Sequence, residues 1–248
     1  MNGAGGRVLW VVALLLFPAA SLAQIPKPEY RTFQPATPGP HPASALLSGC
    51  DGLTPSASPM LYERRAEHLR ALGQVVVLVD YLGRRGLKTC AGSVTHEDAA
   101  RDLIAATTWL KSQPGVDHSR ITAIGWSYGA RGVLAAIVGH TQSQLPFSRA
   151  VVHYPDCRGL QPWKAAVPIL MLLGGDDDMT PAALCQEVAK KVAAPASVKI
   201  VVYPGALHGF DVPELPAKKQ YGFATIGYHP DAAAAARKEM EQFLKPGR

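Results

Sequence analysis

Ile121-Thr122-Ala123-Ile124-Gly125-Trp126-Ser127-Tyr128-Gly129-Ala130-Arg131-Gly132 decides the reading of this chain. A short run rich in isoleucine, too brief for a helix, leads through Gly-Trp-Ser-Tyr-Gly into small residues with helical spacing up to Gly139. A strand that passes straight into a helix around G-x-S-x-G holds its serine on a sharp, strained turn. The hydroxyl is then exposed, and helix N-terminal amides point at whatever it meets. The glycines belong to the same geometry, because strand and helix can approach only where no Cβ intervenes. The string alone is weak; its strand–turn–helix setting carries the inference.

Working outward, apolar runs of strand length recur at Ala45–Leu47, Val75–Val79, Ala150–Val152, Val167–Leu173 and Val198–Val202. They lack the alternation of a half-exposed strand, which predicts strands covered on both faces. Helix-period segments lie between and after them, near Met60–Leu72, Glu97–Lys111, Ala130–Gly139, Pro181–Val192 and Ala232–Leu244, with Thr180 expected as an N-cap before Pro181. Strand and helix alternating in this way predict an α/β fold, a mostly parallel doubly wound sheet in a single domain.

The length of 248 residues suits one such domain. With 48% apolar and 18% charged residues, the bulk of the chain cannot be disordered. The net charge of +6 is spread without a basic block, which argues against a nucleic-acid partner. Residues 1–23 combine Arg7, the apolar run Val8–Phe17, Pro18 and Ser21-Leu22-Ala23, the pattern of a secretory signal cleaved after Ala23. Ten apolar residues span about 15 Å, half a bilayer core, so no membrane anchor is expected in the mature form. Residues 24–42 hold six prolines and read as an extended arm or edge strand before a domain at 43–248.

A secreted or periplasmic location favours disulfides for Cys50, Cys90, Cys157 and Cys185. Four cysteines allow three pairings; proximity along the chain favours Cys50–Cys90 and Cys157–Cys185. Buried free thiols are the alternative, and zinc-ligand spacing is absent.

In such a sheet, ligands bind beyond the carboxyl ends of the strands. Ser127 follows one strand, Gly174-Gly175-Asp176-Asp177-Asp178 follows another, and Tyr203-Pro204-Gly205-Ala206-Leu207-His208 follows the last. A serine hydroxyl needs a base within hydrogen-bond reach and a third group to orient that base. His208 is the expected base and one of the three aspartates the orienting acid. The order Ser, Asp, His is that of α/β-hydrolases. Spacing does not choose among Asp176, Asp177 and Asp178, and a solvated turn or a hard-cation site would also use clustered carboxylates.

Gly-Trp-Ser-Tyr-Gly, the stretch Gly174 to Pro181 and Pro204-Gly205-Ala206-Leu207-His208-Gly209-Phe210-Asp211 together resemble the dienelactone hydrolase family of α/β-hydrolases, over roughly residues 42 to 245. The resemblance selects Asp177 as the acid. It implies an oxyanion hole from the backbone amides of Cys50 and Tyr128; a serine-hydrolase mechanism on these residues calls for no metal and no organic cofactor. It also aligns Arg84 with one of two arginines that bind a substrate carboxylate in the founding members. This chain departs from them in two ways: the nucleophile position is serine rather than cysteine, and the early-loop glutamate is replaced by Gly49. An ordinary serine-esterase scheme on a small-molecule ester or lactone is therefore expected. Tyr81, Trp126, Tyr128 and Trp163 are candidates for lining the acyl pocket. The competing readings are a hydrolase-like binding protein without turnover, and a small-peptide peptidase or acyltransferase on the same residues.

Overall fold

Val75–Val79 is apolar at every position because both its faces are covered. The computed structural model describes residues 30–138, 140–160, 165–192 and 197–245; the segment 1–23 and Trp163 lie outside them. The described chain runs β1 (Arg31–Phe33), β2 (His41–Leu47), α1 (Leu61–Ala71), β3 (Val75–Val79), α2 (His96–Lys111), β4 (Val116–Trp126) and α3 (Tyr128–Ile137). It continues through β5 (Arg149–His153), β6 (Ile169–Gly174), α4 (Ala182–Lys190), β7 (Val198–Tyr203), a ribbon of β8 (Lys219–Tyr221) and β9 (Ala224–Ile226), and α5 (Pro230–Leu244). Seven strands form one sheet in the order β1-β3-β2-β4-β5-β6-β7, parallel throughout except for β1. The fold is the α/β arrangement expected, in one domain.

Period-2 alternation sorts the strand residues onto two cores. Val75, Val77 and Val79 of β3, with Ile169, Met171 and Leu173 of β6, pack with α2, α3 and α4. Val76 and Leu78 of β3, with Leu170 and Leu172 of β6, pack with α1 and α5 on the opposite face. Helix α2 is started by a reciprocal cap: Thr95 accepts from the Asp98 amide at 3.1 Å, and Asp98 accepts from the Thr95 amide at 2.9 Å.

The proline-rich stretch, read as an extended arm or edge strand, contributes an edge strand to the sheet. Arg31–Phe33, inside the proline-rich arm, pairs antiparallel with β3, and β2 already begins at His41. Pro42 is accommodated by a register shift between His41 and Ala43, where a missing ladder donor does least harm.

Disulfides join Cys50 to Cys90 and Cys157 to Cys185, the pairing favoured by chain order. Among the described residues no helix is long and apolar enough to cross a membrane.

Candidate active site

The serine turn carries backbone strain. Ser127 sits at φ 50° and ψ −116°, a region L-residues rarely adopt. Its amide donates to the His153 carbonyl at 3.0 Å, and its carbonyl accepts from Arg131 at 3.0 Å, so strand and helix clamp it from both sides. A Cβ at Gly125 would come within 2.6 Å of the Gly129 carbonyl, and one at Gly129 within 2.2 Å of the Ser48 carbonyl. Both glycines are thus required by close approach, as the motif implied.

The three distant segments meet beyond the strand ends. Ser127 Oγ lies 2.9 Å from His208 Nε2, and His208 Nδ1 lies 2.8 Å from Asp177 Oδ2. A carboxylate only accepts, so Nδ1 carries a ring proton, and an unprotonated Nε2 can accept from the serine hydroxyl. Asp177 is 4% exposed and held from every side. Its Oδ1 accepts from the amides of Met179 at 2.9 Å and Thr180 at 2.8 Å, and its Oδ2 accepts from the Thr180 hydroxyl at 2.8 Å. Geometry separates the three aspartates. Asp176 and Asp178 are exposed, and Asp178 Oδ1 accepts from the Thr225 amide at 2.8 Å.

Thr180 does not cap α4, which begins at Ala182 without a side-chain cap. Its hydroxyl turns instead toward the carboxylate, with its oxygen 3.1 Å from His208 Nδ1. Two amides are candidates for holding an oxyanion. Tyr128 is the first residue of α3, so the helix makes no use of its N–H. Cys50 lines the same cleft as Ser127, and among the described residues its N–H has no partner, whereas the neighbouring Gly49 amide donates to the Tyr62 hydroxyl at 2.7 Å.

The predicted substrate contacts fare differently. Trp126 lines the cleft. Tyr81 does not: it is fully buried, and its hydroxyl donates to the Gly49 carbonyl at 2.9 Å, supporting the loop before Cys50. The Tyr128 ring stacks on Tyr81 and its hydroxyl donates to the Val94 carbonyl, away from the cleft. Arg84 is likewise displaced from its expected role. It pairs with Asp102 at 2.8 Å and borders a second cavity beside β3, which adjoins the cleft at Asp51 and Gly52. The single helical turn Gly83–Arg85 that follows Asp80 directs its guanidinium along α2 rather than toward Ser127.

Sequence reasoning missed a buried polar centre beneath the serine. Asp211 accepts from Arg65 at 2.7 Å, from Trp126 Nε1 at 2.9 Å and from the Tyr154 hydroxyl at 2.6 Å. Burial pushes its carboxyl pKa up. Arg65, His153 and the hydrogen bonds from Tyr154 and Trp126 outweigh that and hold it below the ordinary value. Tyr154, at φ 40°, packs edge-on against His208 at 4.6 Å between ring centroids, and burial followed by the Asp211 charge drives its phenol well up. Arg65 also covers the Trp126 ring at 4.1 Å. His153 stacks on Trp126 with a nitrogen 3.4 Å from Asp211, in no hydrogen-bond geometry, and burial lowers its pKa to about 4. The only signal in the sequence was Asp211 closing the His-Gly-Phe-Asp string.

The family model of the dienelactone hydrolase family matches residues 59–247. An uncharacterized protein of Mycobacterium tuberculosis is 31% identical over 168 residues, covering 59% of this chain; the chain thus spans only 57% of that relative's length. Among solved structures, the dienelactone hydrolase-like promiscuous phosphotriesterase P91 from metagenomic libraries superposes with a TM-score of 0.66 at 21% identity, over 84% of this chain and 87% of that one. The apo form of Thermogutta terrifontis esterase 2 does so at 0.63 and 18%, over 87% and 88%. At such identities the structures share the fold. The family match covers most of the chain and includes the serine turn, the Asp177 loop and the His208 loop, so this chain belongs to the dienelactone hydrolase family.

Proposed function

We propose that the chain is an exported serine hydrolase that cleaves small carboxylic esters or lactones through an acyl-enzyme. The observation that carries this reading is the continuous line from Ser127 Oγ through His208 to Asp177, with contacts of 2.9 and 2.8 Å. His208 Nε2 takes the Ser127 proton as Oγ bonds to the carbonyl carbon. The oxyanion then receives the Cys50 and Tyr128 amides, each worth roughly 3 to 4 kcal/mol to the transition state. Collapse breaks the ester bond, and His208 returns the proton to the departing alcohol oxygen. Water repeats the sequence on the acyl-enzyme and releases the acid. Asp177 stays ionised and holds Nδ1–H, while Thr180 fixes Asp177.

Substituting Ser127→Ala should lower turnover of p-nitrophenyl esters by as much as about a millionfold with an unchanged melting curve, and should abolish labelling by a fluorophosphonate probe. Retained turnover or labelling would refute the role of Ser127. The proposed export rests on residues 1–23 together with two disulfides that need an oxidising compartment. Mass spectrometry of the protein recovered outside the cytoplasm should find Gln24 as the first residue; an intact Met1 contradicts it.

A further inference from the structure

The ribbon β8–β9 stands outside the main sheet and forms one wall of the cleft, through Lys219, Tyr221 and Ile226. A two-stranded ribbon is marginal alone. This one is tied at its base to both loops that carry the candidate machinery: the Gly227 amide donates to the His208 carbonyl at 3.0 Å, and the Thr225 amide to Asp178 at 2.8 Å. Its position over Ser127 is therefore fixed by the same loops that position His208 and Asp177.

Three properties of the cleft define what fits there. Its volume is about 190 Å³; an apolar cavity of about 150 Å³ takes one benzene ring, so the cleft has room for a single ring plus an ester group. Its formal charges balance: the lining carries one carboxylate, Asp51, and one ammonium, Lys219, and Arg65 is taken up by Asp211. Met179, Val212, Leu215 and Ile226 give the lining an apolar share. Tyr221, in the same lining, leaves 46% of its surface exposed, so its ring is open to a ligand in the cleft.

We propose that the ribbon is the specificity wall of the site and that Tyr221 selects neutral esters bearing one aromatic ring, which stacks on its face. This rests on the hydrolase reading given above. Ring stacking predicts that Tyr221→Ala lowers the preference for ring-bearing over ethyl esters about two- to tenfold, whereas Tyr221→Phe, which keeps the ring, retains it. The measurement is kcat/KM for benzyl acetate and ethyl phenylacetate, each against ethyl acetate, in the wild type and both variants. Saturation-transfer NMR of benzyl acetate with Ser127→Ala, with and without Tyr221→Ala, follows binding independently of turnover. A fall in the ratio for either ring-bearing ester with Tyr221→Ala alone, or a matching loss of binding, supports the proposal. An unchanged ratio in an active enzyme overturns it, as does an equal loss with Tyr221→Phe, which would assign the effect to the hydroxyl facing Asp51. Tyr221-dependent binding without wild-type turnover would instead sink the hydrolase reading and leave the ribbon's role standing.

Discussion

Replacing Asp211 by alanine tests the buried centre beneath the serine. The side chains of Asp211 and Arg65 are only 12% and 13% exposed, and their 2.7 Å contact is accompanied by donors from Trp126 and Tyr154. Removing the carboxylate leaves Arg65 as a buried charge without its counter-ion, and such a loss costs roughly 3 to 5 kcal/mol. For a domain of this size each kcal/mol lowers the melting temperature by about 2 to 4 °C, so the variant should melt roughly 6 to 20 °C lower. Thermal unfolding followed by circular dichroism at pH 7 measures it. The double variant Arg65→Met/Asp211→Leu should recover the part of the loss that comes from the orphaned charge, while the Trp126 and Tyr154 donors stay unpaired. Activity should fall more than stability alone explains, since Tyr154 packs on His208 and Trp126 precedes Ser127. A loss below about 1 kcal/mol in Asp211→Ala, or a double variant as unstable as the single one, would refute the account of a desolvated pair.

Two further outcomes follow from the same geometry. His153, 3% exposed and with a pKa lowered to about 4 from 6.5, is bound as the neutral ring in the folded state, so its contribution is present above pH 6.5 and is lost as the pH falls toward 4. Stability should drop over that window by on the order of 3 kcal/mol, and His153→Phe should flatten the profile in denaturant titrations at stepped pH; an unaltered profile would contradict this. Replacing Cys50 and Cys90 by serine opens a cross-link across 40 residues, worth about 4 kcal/mol by loop entropy, and frees the segment that presents the Cys50 amide. Denaturant midpoints should fall, and kcat should drop by about tenfold or more with a smaller change in KM; an unchanged kcat would remove Cys50 from the proposed oxyanion hole.

Local signals were strong where one stretch of chain decides its own structure. Val75–Val79 and Ile121–Gly129 are such stretches: apolar runs and paired glycines have one physical use there, and the strands and the turn lie where those residues require. Asp177 was not separable from Asp176 and Asp178 by spacing, because only its burial against Thr180 and His208 distinguishes it. Thr180 looked like an ordinary cap, since the competing carboxylate sits three residues earlier on a loop whose path is set by the sheet. The Asp211 centre was invisible for a different reason: its donors, Arg65, Trp126 and Tyr154, lie 146, 85 and 57 residues away. Arg84 shows the opposite error, in which a motif position is kept while α2 supplies Asp102 and diverts the guanidinium. Strands β8 and β9 have three residues each, too few for any periodicity to register.

The reversed strand β1 has a bearing on how the molecule behaves in company. A parallel sheet that stopped at β3 would present five consecutive valine and leucine residues with open amides to any passing chain, an invitation to fibrous stacking. Arg31–Phe33 closes that border with only three residues, and its arginine is held by Glu63 of α1. So little hydrogen-bonding frontage, carrying a cation, offers a newcomer almost nothing to zip onto, and crowding at high concentration should find no template along this side.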